Sequence, residues 1–136
     1  MEGELRRRTT DGARILVIED NDDLRHLMDL ALRDAGYTVD CAALAEDGIR
    51  MLETNSYRLV LSDYSLPGHS GEWLLSQAID RNLLRGAPAL LITADPDAPG
   101  ISDRVPVVAK PVNFDYLLPQ IRTLLTSTGT SSPALS

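Results

Sequence analysis

Four short apolar runs in this chain each end in a side chain that can take part in chemistry. The run ILVI precedes Glu19 and Asp20, LVLS precedes Asp63, ALLI precedes Thr93, and VPVVA precedes Lys110. Continuous apolar runs of this length are typical of strands that are buried on both faces of a parallel sheet. Because the carboxyl ends of parallel strands lie at one edge, we expect these five side chains to converge there.

Helical patterns separate the apolar runs and predict an alternating α/β chain. The patterns place strands at residues 14–19, 38–42, 58–63, 88–93 and 105–110, with helices after the first three strands and after the last. Gly36 is a natural C-terminal cap for the first helix, and Asn113 can cap the last one. Alternation of this kind implies right-handed crossovers and a doubly wound parallel sheet with helices on both faces.

Prolines limit helix formation in the second half of the chain. Between Thr93 and Lys110 the sequence contains three prolines and a Pro-Gly pair, so the fourth helix should be shortened or absent. Pro119 lies inside the last helical pattern, where it should kink or delay that helix.

Composition indicates a single globular domain. The chain has 136 residues, of which 43% are apolar and 24% charged. We expect the domain to span residues 14–126, with flexible, polar segments at 1–13 and 127–136. A net charge of −7 argues against a nucleic-acid surface. No apolar run approaches the roughly 20 residues that a membrane span needs, and a single cysteine suits a reducing compartment, so we expect a cytoplasmic location.

The three carboxylates at the sheet edge point to a metal. Glu19 and Asp20 alone favour a solvated loop over a site, but Asp63 occupies the corresponding position on another strand. Carboxylates that lie this close resist ionising together unless a cation lies among them. Mg²⁺ prefers oxygen ligands, so these acids and a backbone carbonyl, with Ser65 as the candidate, would suffice.

The remaining side chains suit phosphoryl chemistry. An aspartate such as Asp63 can attack a phosphoryl donor and become an acyl phosphate. Lys110 and Thr93 could then stabilise the oxygens of the transferred group, although each alone is commonly structural. Pro111 allows a cis peptide bond that would turn Lys110 toward the acids.

These residues together resemble the receiver domain of two-component response regulators. The resemblance rests on ED after the first strand, D followed by PG after the third, TA after the fourth and KP after the fifth, over about residues 14–126. It implies a flavodoxin-like five-stranded parallel sheet in the order 2-1-3-4-5. It also implies roles for the site residues: Glu19 and Asp20 as metal-binding acids, Asp63 as phospho-acceptor, Thr93 as switch hydroxyl, Lys110 as the family's lysine, and Ser65 and Asp95 as the variable positions that tune hydrolysis.

One departure from the family pattern concerns Val107, which lies where receivers commonly carry the aromatic residue that reports phosphorylation. The short fourth crossover is also similar to that of receivers in hybrid sensor kinases. The resemblance predicts a phosphorelay domain that uses Mg²⁺ and takes a phosphoryl group from a histidine kinase or histidine phosphotransfer protein onto Asp63. It predicts no other enzyme activity, and it leaves the downstream partner and homodimer formation open.

Three alternative functions compete with this prediction. A degenerate receiver would fold in the same way but act only as a protein-interaction domain, without being phosphorylated. An aspartate phosphatase of another fold would need a second Asp where Ser65 stands, and a nucleotide binder would need a GxxxxGK loop, which the sequence lacks.

Overall fold

The computed structural model describes residues 12–95 and 105–135, with side chains as far as residue 126. The elements follow in the order β1 (Arg14–Ile18), α1 (Asp22–Asp34), β2 (Thr38–Ala42), α2 (Ala45–Thr54), β3 (Leu59–Asp63), α3 (Gly71–Asp80), β4 (Ala89–Thr93), β5 (Val107–Ala109) and α4 (Phe114–Leu135). The predicted alternation of strands and helices is confirmed. Strand β5 is shorter than predicted, with three residues in place of six.

The five strands form one parallel sheet in the order β2-β1-β3-β4-β5. This order confirms the flavodoxin-like, doubly wound fold. The chain turns outward from β1 to β2 and then crosses to the other side of β1 for β3. The carboxyl ends of β1 and β3 therefore flank the point where the winding reverses, and open α/β sheets form their ligand crevices there.

Two apolar cores cover the two faces of the sheet. On one face, α1 and α4 pack against the sheet through Met28, Leu32, Leu117, Ile121 and Leu125. On the other face, α2 and α3 contribute Ala45, Ile49, Leu52, Leu74, Leu75 and Ala78. Every residue of β3 and β4 is buried. The strands that end in Asp63 and Thr93 are thus held rigidly from both sides.

Helix ends near the sheet edge are capped by side chains. Asn21 Oδ1 accepts a hydrogen bond from the Leu24 amide at 2.8 Å and so begins α1. Ser70 Oγ accepts from the Trp73 amide at 3.0 Å at the start of α3. The two caps predicted from the sequence are present: Gly36 has a φ of 102°, and Asn113 Oδ1 accepts from the Asp115 amide at 3.0 Å.

Pro119 does not delay the last helix, because α4 begins at Phe114 and continues through the proline, and the alternative, a kink at Pro119, stays a prediction. Leu117 and Ile121 on either side of Pro119 are buried in the core, and this packing outweighs the loss of one helical hydrogen bond. The helix extends to Leu135, past the domain boundary predicted at residue 126. The flexibility of residues 127–136 stays a prediction.

Two other expectations concern residues outside the described ranges. The shortened or absent fourth helix would fall on residues 96–104, and most of the N-terminal segment lies in residues 1–11. At the start of the described chain, the Gly12 amide donates to the Gly36 carbonyl and Ala13 is buried. No helix in the described part of the chain is both long and apolar enough to cross a membrane.

Candidate functional site

Three carboxylates meet at the carboxyl edge of the sheet. Glu19 follows β1, Asp20 is the next residue, and Asp63 is the last residue of β3; one oxygen from each lies within 4.8 Å of the others. Glu19 and Asp63 are buried, with exposed fractions of 1% and 3%, whereas Asp20 is exposed. The structure therefore brings together the three acids that the sequence predicted would converge, and one of them faces solvent.

Lys110 joins this cluster from the loop after β5. Its Nζ lies 2.9 Å from Asp63 Oδ2 and 3.6 Å from Glu19 Oε1. Burial lowers the pKa of Lys110, but the hydrogen bond and charge of Asp63 and the charge of Glu19 outweigh it, so the pKa lies above its usual value. The Lys110–Pro111 peptide bond is cis. The ammonium is therefore held in its charged form against the buried carboxylates.

Glu19 is the most constrained acid of the cluster. Its Oε2 accepts a hydrogen bond from the Asn21 amide at 3.1 Å, whereas Oε1 is buried without a hydrogen-bond partner among the described residues. Burial raises the pKa of Glu19 to about 7, and the Asp63 charge adds to this, while the Asn21 amide and Lys110 act in the opposite direction. A buried carboxylate oxygen that accepts no hydrogen bond and lies close to two other acids fits a bound cation.

Thr93 ends β4, next to the strand that carries Asp63, and is 4% exposed. Its hydroxyl accepts from the Asp95 amide at 3.0 Å and lies 3.3 Å from the Asp95 carbonyl, to which it can donate. The Thr93 carbonyl accepts from the Lys110 amide at 2.8 Å. A backbone hydrogen bond thus ties the threonine to the lysine, while their predicted roles stay predictions.

Ser65 lies two residues after Asp63, and its amide points at Asp63 Oδ1 with a donor–acceptor distance of 3.4 Å. This places the Ser65 backbone beside the carboxylate. The use of its carbonyl as a metal ligand stays a prediction. Val107, at the position of the missing aromatic residue, is half-buried in β5.

The backbone of Asp63 is held by contacts that sequence reasoning missed. Ser62 Oγ donates to the Asp63 carbonyl at 3.0 Å, and the Gly71 amide donates to the Tyr64 carbonyl at 2.9 Å. A Cβ on Gly71 would lie 2.0 Å from the Asp63 carbonyl oxygen. Glycine at the start of α3 therefore allows this helix to approach β3, and the signal in the sequence was a Ser-Gly pair.

Two further residues contact Glu19 and were not predicted from the sequence: Asn21 in the β1–α1 loop and Arg25 near the start of α1. Asn21 donates to Glu19 through its amide and caps α1, and Arg25 donates to the Glu19 carbonyl at 2.9 Å. An Asn directly after the acidic pair and three residues before Leu24 is a recognisable capping signal.

Comparison with known proteins agrees with this geometry. A family model, the response regulator receiver domain, matches residues 15–122. The chain belongs to this family. Two bacterial relatives are the transcriptional activator protein IrlR of Burkholderia pseudomallei, 31% identical over 120 residues, and the transcriptional regulatory protein DltR of Streptococcus agalactiae, 32% identical over 117 residues. These alignments cover 82% and 80% of the chain but 50% of each relative, so the receiver chain spans about half the length of either protein.

Solved receiver structures superpose over most of the chain. The receiver domain of the hybrid histidine kinase CckA is 32% identical with a TM-score of 0.72, and it is matched over 82% of this chain and 98% of that one. The response regulator TrrA of Thermotoga maritima, crystallised in complex with Mg²⁺ and BeF, is 28% identical with a TM-score of 0.73 and the same coverage. The five-stranded fold and the acidic pocket at its edge are thus those of a two-component receiver domain.

Proposed function

We propose that Asp63 is the phospho-acceptor of this receiver and takes a phosphoryl group from a histidine kinase or a histidine phosphotransfer protein. One observation carries the proposal: a buried aspartate at a strand end that is paired with Lys110 at 2.9 Å and lies within 4.8 Å of two other acids. The CckA receiver belongs to a hybrid histidine kinase, which supports a phosphohistidine as donor. A cytoplasmic location would fit such a partner.

Four groups would hold Mg²⁺: the carboxylates of Glu19, Asp20 and Asp63 and the backbone carbonyl of Ser65. Their hard oxygens match its preference, and the buried Glu19 Oε1 gains a partner. When bound, Mg²⁺ would neutralise negative charge on the transferred group. The complex of the similar TrrA with Mg²⁺ and BeF supports this assignment.

The chain's own residues account for the transfer. An oxygen of Asp63 would attack phosphorus, the bond from phosphorus to the donor nitrogen would break, and that nitrogen would keep the electron pair. Lys110 pairs with Asp63 at 2.9 Å before the reaction and lies close enough to balance charge on the phosphoryl oxygens. The Thr93 hydroxyl would donate a hydrogen bond to one of these oxygens. Ser65 and Asp95 would influence how quickly water hydrolyses the acyl phosphate.

The test uses small phosphoryl donors. Incubation with Mg²⁺ and phosphoramidate, which carries a P–N bond, should add about 80 Da to the intact mass, the mass of one phosphoryl group. Asp63→Asn should abolish the gain and leave the fold intact. Asp23→Asn is the matched control, because Asp23 is an exposed acid in the first turn of α1. A mass gain that persists in Asp63→Asn would refute the assignment.

The degenerate receiver is the alternative outcome of the same experiment. No described contact favours it, because all five predicted side chains are present and four of them are buried or half-buried. A folded protein that binds Mg²⁺ and never gains mass with phosphoramidate would support a pure interaction domain.

A further inference from the structure

Arg25 lies near the start of α1 and reaches back to the loop that carries the acids. Its Nη1 donates to the Glu19 carbonyl at 2.9 Å, and its Nη2 donates to Asp22 Oδ1 at 2.6 Å. The Glu19 carbonyl belongs to the peptide group that joins Glu19 to Asp20. Because the orientation of this peptide group influences where the Asp20 side chain points, Arg25 contacts the backbone that positions one of the three carboxylates.

Asn21 holds the same loop on the other side. The Asn21 amide donates to Glu19 Oε2 at 3.1 Å, and the Asn21 carbonyl accepts from the Arg25 amide at 2.9 Å. Its side chain caps α1 through Leu24. Asp20 therefore lies between two anchored residues while its own carboxylate is exposed.

We infer that Arg25 is a positioning residue for the metal site: it holds the Glu19–Asp20 peptide group in the orientation in which Asp20 can act as a ligand. The inference rests on the proposed function, because it assigns Arg25 a part in binding the same Mg²⁺. Arg25 would act through the backbone and would contact neither the metal nor the phosphoryl group.

The sign of the change in Mg²⁺ affinity on replacing Arg25 distinguishes this positioning role from a purely electrostatic one. Arg25 places a positive charge near a cation site, so removal of that charge alone should strengthen Mg²⁺ binding. Loss of an interaction that orients a ligand typically weakens metal binding by 10-fold to 100-fold. We therefore expect Arg25→Gln to weaken the apparent affinity for Mg²⁺ by about 10-fold.

Arg33 provides a matched control on the same helix. It also pairs with an aspartate, Asp29, at 2.7 Å, and it also donates to a backbone carbonyl, that of Val39, at 2.7 Å. Arg33→Gln removes the same kinds of contact and the same charge, but the carbonyl it releases belongs to β2. This variant should keep the parent affinity for Mg²⁺ within about twofold, because its carbonyl is not linked to a metal ligand.

The experiment is a Mg²⁺ titration of the full chain in which the melting temperature gives the apparent Kd. The Asp22 partner of Arg25 is 85% exposed, and exposed ion pairs contribute little, so Arg25→Gln should melt close to the parent without Mg²⁺. Arg25→Lys, which keeps the charge and one donor, should bind Mg²⁺ more tightly than Arg25→Gln. If only the charge of Arg25 mattered, Arg25→Gln would bind Mg²⁺ more tightly than Arg25→Lys.

A double variant locates the effect. If Arg25 acts through Asp20, Arg25→Gln should not change the Kd further in an Asp20→Asn background. A Mg²⁺ affinity of Arg25→Gln equal to or above that of the parent would overturn the inference and leave the proposed function intact. The same conclusion would follow if Arg25→Gln still weakened Mg²⁺ binding by its full factor in the Asp20→Asn background. A parent protein that does not respond to Mg²⁺ would overturn both.

Discussion

The raised pKa of Glu19 makes the stability of the metal-free protein depend on pH. Burial and the neighbouring Asp63 raise this pKa from its ordinary 4.5 to about 7. Between these two values the folded protein holds a proton on Glu19 that the unfolded chain has already released. The free energy of unfolding should therefore fall as the pH rises from about 4.5 to about 7, and it should level off above that window.

The size of the effect follows from the difference between the two pKa values. One pKa unit corresponds to about 1.4 kcal/mol, so the raised pKa corresponds to a loss of about 3 kcal/mol across the window. Glu19→Gln removes the charge and keeps the shape of the side chain. Without Mg²⁺ this variant should be more stable than the parent at pH 8 by up to about 3 kcal/mol, and the two should converge below pH 5.

Urea unfolding in EDTA at several pH values between about 4.5 and 8.5 measures this difference. Glu53→Gln serves as the control, because Glu53 pairs with Arg81 at the surface of the molecule and such pairs contribute little. Its unfolding free energy should follow the parent curve. A difference between the parent and Glu19→Gln that does not change with pH would refute the reasoning, and so would a parent that is the more stable of the two at pH 8 in EDTA.

Two further predictions concern the metal and the packing around Asp63. Mg²⁺ should raise the melting temperature of the parent because it binds only the folded state, and Asp20→Asn should reduce this rise; an unchanged rise would place the metal elsewhere. Gly71→Ala puts a Cβ 2.0 Å from the Asp63 carbonyl oxygen, so it should lower the free energy of unfolding by about 1–3 kcal/mol and slow the mass gain with phosphoramidate. In the comparison variant Gly48→Ala, the new Cβ lies 2.8 Å from a side-chain methyl group of Leu74, which can move. The urea midpoint should therefore change less for Gly48→Ala than for Gly71→Ala, and equal changes would contradict the backbone clash at Gly71.

The convergence of the acids could be predicted from sequence because it depends on strand direction alone. Once the runs before Glu19 and Asp63 are taken as parallel strands, their carboxyl ends must lie at one edge. The strand order could not be derived in this way, because alternating strands and helices are compatible with several orders. It came from the resemblance to receivers, and the structure confirms it.

The contacts that sequence reasoning missed depend on loop geometry. Arg25 reaches the Glu19 carbonyl from α1, which Asn21 caps and which begins at Asp22, three residues after Glu19. The approach of Gly71 to Asp63 depends on the path of the loop between them, and apolar periodicity carries no information about that path. The delay expected at Pro119 does not occur for a related reason: helix propensity is local, whereas α4 is stabilised by packing against the sheet.

The charges at the sheet edge explain why Thr93 would connect the site to the rest of the chain. With all three acids deprotonated, the carboxylates and Lys110 would together carry two net negative charges, which a divalent cation would cancel. Phosphorylation would replace the single charge of Asp63 by up to two, leaving an excess that a neutral hydrogen-bond donor can stabilise. The Thr93 hydroxyl has one proton, which lies within reach of the Asp95 carbonyl at 3.3 Å. Donation to a phosphoryl oxygen would therefore end that contact, and the change at Asp63 would reach the segment that follows β4.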